Sequence, residues 1–377
     1  MQAFASVSVF ALPTIAPIAA LELGVPPGLV GIQTSLVYLT ATAMSVFAGT
    51  VLRRNGPVRT SQLALAAVAL GLFTLAAGGL PAFFFAAALI GCGYALTNPA
   101  GAEMLARSTT AQRRNLVFSI KQTAVPLGGI LAGLALPLLS AVFGWQAAFV
   151  LTAGAITLIA IALQPLRRVW DQRMAERAAA PSPPLAALRQ VLKSRPLRSL
   201  AATGFLYSTI QLALASYGVV MLVSEFGWSL VAAGSGAAAL QFGGVIGRVL
   251  WGAIADRVSG GFGVLAIIGI ATTAITWLLP TAIGAPPAFV IAVLFALGVT
   301  AVGWNGVLLA DTTRHVDAVD AGGVTAIVLM FTFSGVVLGP LTLAAFAWLT
   351  GSYAMAFAIL ATAPLAAALL LLLNRST

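Results

Sequence analysis

Two cations stand inside long apolar stretches of this chain. Arg248 lies in G-R-V-L-W-G-A-I-A-D-R-V-S-G-G, Gly247 to Gly261, and Lys121 in F-S-I-K-Q-T-A-V-P-L-G-G. Arg248, Gly252 and Asp256 follow one another at steps of four, drifting only about 40° per step around a helix, so they share one broad face. Arg248 then lies on the order of 12 Å deeper than Asp256. Burying a cation in a bilayer costs on the order of 3 kcal/mol, so such residues are read as functional by default. Snorkelling of the long side chain to the interface, or a structural ion pair, is the competing reading for both. The chemistry on offer is anion binding. A guanidinium grips a carboxylate through two parallel hydrogen bonds, and an ammonium adds a point charge.

Other polar residues could share that task. Gln241, seven before Arg248, lies on its face. Tyr207 and Gln211, four apart, make one polar stripe. Asn98 and Asn305 sit deep in apolar runs, the first followed by Pro99, the second flanked by Trp304 and Gly306. Pro99 frees a backbone carbonyl in the preceding turn, which suits a hinge or gate. Hydrogen bonding between helices is the plainer reading of both asparagines. Gln33 and Tyr38 are weaker candidates. No nucleotide loop, nucleophile triad or metal cluster is present, so an enzyme, a bound cofactor and ATP-driven pumping by this chain are not expected. Cys92 is the single cysteine, which excludes an internal disulfide and a cysteine metal site. His315, among Asp311, Arg314, Asp317 and Asp320, reads as part of a solvated loop.

The elements that must position these residues are membrane helices. The chain has 377 residues, 60% hydrophobic and 7% charged, where a soluble protein has about 25% charged residues. Apolar runs fall at 3–22, 29–52, 60–79, 82–106, 116–140, 146–165, 199–223, 229–254, 262–280, 287–310, 322–348 and 352–373. Each is long enough to cross a bilayer. These twelve runs are numbered here as spans one to twelve. Uninterrupted apolar runs argue for an all-α integral membrane protein, because a barrel would show short alternating strands. The first run has no basic segment before it and reads as a span, not a cleaved leader.

Charge sets the expected orientation. Basic residues occupy the second loop (Arg53, Arg54, Arg59), the fourth (Arg107, Arg113, Arg114), the sixth, the eighth (Arg257), the tenth (Arg314) and the tail (Arg375). Odd-numbered loops hold no Lys or Arg, but do hold Glu22 and Glu225. The positive-inside rule then places both termini and the even loops in the cytoplasm, in a bacterial inner (plasma) membrane. The net charge of +10 follows from this and needs no nucleic acid. The sixth loop, 166–197, carries seven basic residues and the P-S-P-P run Pro181–Pro184. It reads as a cytoplasmic linker, with lipid or partner binding as the second reading.

The chain also repeats itself. Gly91 and Asn98 match Gly298 and Asn305 at an offset of 207, and Gly49 and Arg54 match Gly252 and Arg257 at an offset of 203. The segment Gly252, Asp256, Arg257, Gly260 resembles the G-x-x-x-D-R-x-x-G loop signature of the major facilitator superfamily. So does Gly49 to Arg59, through Gly49, Arg54, Gly56 and Arg59, except that Arg53 stands where aspartate is usual. The resemblance implies a twelve-transmembrane-helix fold of two six-helix halves, 1–165 and 198–377, related by pseudo-two-fold symmetry and joined by the linker 166–197. It implies alternating access around a site between the halves, with Gly49, Arg54, Gly252, Asp256 and Arg257 as gating residues. In that fold spans five and eight face one cavity, which would set Lys121 and Arg248 against one anion. R-x-x-x-G-x-x-x-D from Arg248 to Asp256 also resembles monocarboxylate and oxalate/formate-type porters, where the arginine binds a carboxylate. The acid that animal monocarboxylate porters place four residues earlier is Gly244 here.

The expectation is therefore a secondary transporter of a small organic anion, monomeric, coupled to a proton or a counter-substrate. Its substrate-binding residues are Arg248, Lys121, Gln241, Asn98, Asn305, Tyr207 and Gln211. A proton-coupled drug exporter is the first rival, although it calls for an embedded acid in the first half. A non-transporting membrane sensor on the same fold is the second, although it calls for an added cytoplasmic domain.

Overall fold

In a computed structural model, residues 1–23, 29–108, 121–171, 184–258, 261–316 and 321–375 are described, and all regular structure among them is helical. Long apolar runs have few other choices, since backbone groups in lipid must be paired within their own segment. The long helices are Gln2–Leu23, Leu29–Asn55, Pro57–Ala76, Leu80–Ser108, Ala124–Phe143, Trp145–Ala162, Arg195–Ser224, Leu230–Arg257, Gly261–Thr276 and Ala321–Thr350. Span ten runs from Pro287 to Arg314 and span twelve from Tyr353 to Arg375, each with an internal break. Eleven segments among the described residues are long and apolar enough to cross a membrane. The 27-residue helix Leu29–Asn55 covers the run read as span two.

The chain divides into two compact units. One comprises Met1–Ala178 and Trp228–Ala238, the other Ala179–Gly227 and Ala239–Thr377. Each unit repeats the same internal pairings. Span one packs on five, and seven on eleven; span three packs on six, and nine on twelve. The close crossings recur in register. Gly128 of span five rests on the Ala3 backbone, and Gly335 of span eleven on the Phe205 backbone. Gly91 of span four meets the Val37 carbonyl, and Gly298 of span ten meets the Leu240 carbonyl. In both cases the glycines are 207 apart in sequence. A Cβ at any of them would run into the facing backbone, so the missing side chain is what lets the helices touch.

The two glutamates of the odd loops have matching structural roles. Glu22, ending span one, accepts from Trp145 Nε1 at 2.5 Å and Gln146 Nε2 at 3.4 Å at the start of span six. Glu225, after span seven, accepts from Ser352 Oγ at 3.1 Å, from Ala354 N at 3.0 Å and from Tyr353 N at the start of span twelve. Glu225 thus takes unpaired N–H groups of a helix start, where the dipole favours a carboxylate, whereas Glu22 is held by side chains.

Three features depart from a reading of uninterrupted helices. In span ten, Gly298–Val302 form a π turn between the helices Pro287–Leu297 and Asn305–Arg314. Span twelve is split into Tyr353–Leu360 and Thr362–Arg375. Pro364 lies four residues after Leu360, and its ring would clash with that carbonyl in a continuous helix. Span five is described from Lys121, and its long helix begins at Ala124 after a turn at Thr123. Lys121 and Gln122 are helical and lie on the near side of that turn, ahead of Ala124–Phe143. The part of this run at 116–120 lies outside the described residues, as do 172–183 of the linker. Beyond them, Pro184–Lys193 form a short amphipathic helix, with Ala187 and Val191 buried in the core of the second unit.

Candidate functional site

Two polar side chains of the second unit, Arg248 and Asn305, meet at one carbonyl oxygen. Glycines bring spans eight and ten together at backbone distance: a Cβ at Gly243 would meet the backbone at Phe295, and one at Gly247 would meet that of Val299. On the π turn of span ten, Val302 O accepts from Arg248 Nε at 3.4 Å and from Asn305 Nδ2 at 3.4 Å. Asn305 Nδ2 also donates to Gln211 Oε1 of span seven at 3.3 Å. Arg248, Asn305 and Gln211 are half-buried, and Gln241 is buried. A turn below Arg248, Trp251 Nε1 donates to Val299 O at 2.8 Å. Spans seven, eight and ten thus join a guanidinium, two carboxamides and a backbone carbonyl. Such a set can hold a carboxylate on its charged donors while the amides fix its orientation.

Tyr207 does not belong to this cluster, which corrects the expected Tyr207–Gln211 stripe. It is 2% exposed and packs edge-on against Trp304, with ring centroids 5.6 Å apart. Its hydroxyl donates to the Leu265 carbonyl of span nine. A buried phenol finds a partner for its O–H, and here that partner is backbone, so Tyr207 serves the core.

In the first unit, Lys121 is half-buried and lies over span four. A Cβ at Gly101 would come within 3.3 Å of Lys121 Cε. Gly101 thus makes room for the lysine stem, three residues after Asn98. The side chains of Asn98 and Arg53, and the surroundings of Gly49, lie outside the described ones.

Two carboxylate clusters lie beside the two loop motifs, one in each unit. In the first, Gly56 adopts a φ of +80°. Any side chain there would collide with Asp171. The Asp171 carboxylate accepts from Val58 N at 2.8 Å and Arg59 N at 3.1 Å, capping span three, and pairs with Arg167 at 3.5 Å. Sequence reading missed Asp171. Its signal was an acid, one of two with Glu176, in a linker of seven basic residues. Arg54 of the same motif is exposed. In the second unit, buried Asp311 accepts from Gly261 N at 3.0 Å, capping span nine. Arg314 bridges Asp311 at 3.6 Å and Asp256 at 3.7 Å. Asp256 is 82% exposed and Arg257 is exposed, while a Cβ at Gly252 would meet open space. Asp256, the carboxylate of the loop signature, thus has Arg314 of its own unit as partner.

The Major Facilitator Superfamily profile matches residues 1–340. The chain belongs to this superfamily. The superfamily makes it a multi-pass integral membrane protein, and the relatives found are transporters. The uncharacterized transporter YycB of Bacillus subtilis is 27% identical over 265 residues, covering 68% of this chain and 62% of its own length. An uncharacterized MFS-type transporter of Mycobacterium tuberculosis is 27% identical over 223 residues, covering 58% of this chain and 48% of its own. The chain thus spans about half to three-fifths of these relatives. Among solved structures, a mutant of the nucleoside transporter NupG superposes with a TM-score of 0.79 at 15% identity, over 99% of this chain and 97% of that one. A peptide transporter POT in complex with sulfate superposes at 0.77 and 14% identity, over 100% and 92%. At such identities the structural likeness speaks for the superfamily fold alone.

Proposed function

We propose that this protein is a secondary transporter that carries a small organic anion, a carboxylate, across the cell's inner (plasma) membrane by alternating access. The observation that carries the reading is Arg248, half-buried within span eight, sharing the Val302 carbonyl with Asn305, which in turn meets Gln211. A cation placed in a membrane span and tied into a polar cluster matches a ligand site better than a topology signal does. The superfamily relatives support transport. The charge of Arg248 supports the anion. The protein is proposed to act as a monomer with both termini cytoplasmic, coupled to a proton or a counter-anion.

Uptake and binding of formate, lactate, oxalate and succinate, compared with a cationic dye and a sugar, test the reading in wild type and three variants at matched expression. Arg248→Ala is expected to abolish binding, since removing a partner from a buried charged hydrogen bond costs about 2–5 kcal/mol. Arg248→Lys keeps the charge but loses the planar fork, and is expected to lose most carboxylate transport. Lys121→Gln is expected to weaken binding less than Arg248→Ala. Wild-type transport by Arg248→Lys, or a cationic or neutral best ligand, sinks the organic-anion reading. A pH jump against an imposed counter-anion gradient distinguishes proton coupling from exchange.

A further inference from the structure

The π turn of span ten is held by side chains of span eight. A π turn widens the helix and takes carbonyls out of their regular pairing, and such turns cluster at functional sites. Two carbonyls of the turn Gly298–Val302 accept from span eight. Val299 O takes Trp251 Nε1 at 2.8 Å, and Val302 O takes Arg248 Nε at 3.4 Å. The donors are three residues apart on one helix and the acceptors three apart on the other, so one face reads the other twice. The shorter bond belongs to a neutral indole that is partly buried against the core. The longer one belongs to the cation. Close backbone contact at Gly247 and Val299 leaves the turn little room to slide.

We propose that Trp251 is a positioning residue for Arg248. It fixes the π turn through the Val299 carbonyl, so that the Val302 carbonyl holds the Nε edge of the guanidinium. That fixes the orientation in which the guanidinium meets a carboxylate. Asn305 shares the Val302 carbonyl and turns with it. Trp251 thus acts on the ligand through Arg248 and the turn. Its consequence for affinity rests on the carboxylate reading of Arg248; its effect on the guanidinium does not.

Two readouts keep these apart. Trp251 is changed to Phe, and separately to its benzothienyl analogue, which keeps the ring shape and replaces the N–H by sulfur. The purified full-length protein is treated with phenylglyoxal, and modification of Arg248 is followed by peptide mass spectrometry without any ligand. Both changes are expected to speed Arg248 labelling severalfold while the analogue leaves the melting temperature at the wild-type value. For oxalate and lactate, KM is expected to rise roughly tenfold, the size of one lost hydrogen bond, with the maximal rate retained. The KM effect is expected to vanish in an Arg248→Lys background, because the two residues act as one unit. Unchanged labelling in the analogue, or an additive KM effect, overturns the proposal. Faster labelling in a protein that binds no carboxylate upholds the positioning role and rejects the proposed substrate. Carboxylate binding with unchanged labelling does the reverse.

Discussion

Arg248 and Asn305 donate to the same backbone oxygen, and a carbonyl has two lone pairs with which to accept both. At the scale of single residues, the carboxylates show how unequal similar groups can be. Asp171 is 11% exposed in its side chain and takes two N–H groups at the start of span three. Asp256 is 82% exposed, with one ion pair at 3.7 Å. Screened surface pairs contribute little, whereas losing a helix cap costs about 0.5–2 kcal/mol. Asp171→Ala is therefore expected to lower the melting temperature of the purified protein, and Asp256→Ala to leave it close to wild type. Equal melting temperatures would mean that the Asp171 cap is dispensable. The sequence motif pointed to Asp256 and passed over Asp171, because a cap supplied from more than a hundred residues away leaves no local pattern.

At the scale of the helices, contact depends on glycines that only the fold tells apart. Gly247 and Gly252 lie five residues apart on span eight. A Cβ at Gly247 would collide with the Val299 backbone, whereas one at Gly252 meets nothing within 4 Å. Overpacking typically costs about 1–3 kcal/mol, so Gly247→Ala is expected to reduce folded yield and melting temperature. Gly252→Ala is expected to be neutral or slightly stabilising, since alanine favours helix. A thermal melt of both variants decides this, and the opposite order would mean that spans eight and ten do not cross as described. The π turn of span ten was not legible. No proline marks it, and Gly298 and Gly303 look like any packing glycines of an apolar run. The break in span twelve did carry a signal in Pro364, but proline is tolerated inside several spans here, as at Pro137 and Pro340.

At the scale of the whole molecule, the charge pattern along the chain yields a test that needs no ligand. A reporter fused after Thr377 is expected to be cytoplasmic. A cysteine introduced near Gly284, at exposed Ile283 in the turn between spans nine and ten, is expected to react with an impermeant thiol reagent from outside intact cells. Reverse labelling would invert the membrane orientation and every side assigned from it. Glu22 and Glu225 lie in odd loops, on the side expected to face outward, and each ties the first span of its six-helix set to the last. In sequence they were only the acids of loops without basic residues.

The sequence alone determined the class, the number of long helices, the internal repeat and the superfamily. Each follows from quantities that accumulate along the chain: apolar length, the spacing of charge, and identities at fixed offsets. It also singled out Arg248, Asn305 and Gln211, because polar groups are rare enough in membrane helices to be counted one by one. Only the tertiary structure decided which of them meet. It joined Arg248 to Asn305 through the Val302 carbonyl, sent Tyr207 into the core, and brought Trp251 and Asp171 into play. The reason is that helical repeat limits a side chain to a broad face, whereas a hydrogen bond needs a partner within about 3.5 Å. Where on that face the partner stands is set by how closely two backbones approach and by where a helix loses its regular turn.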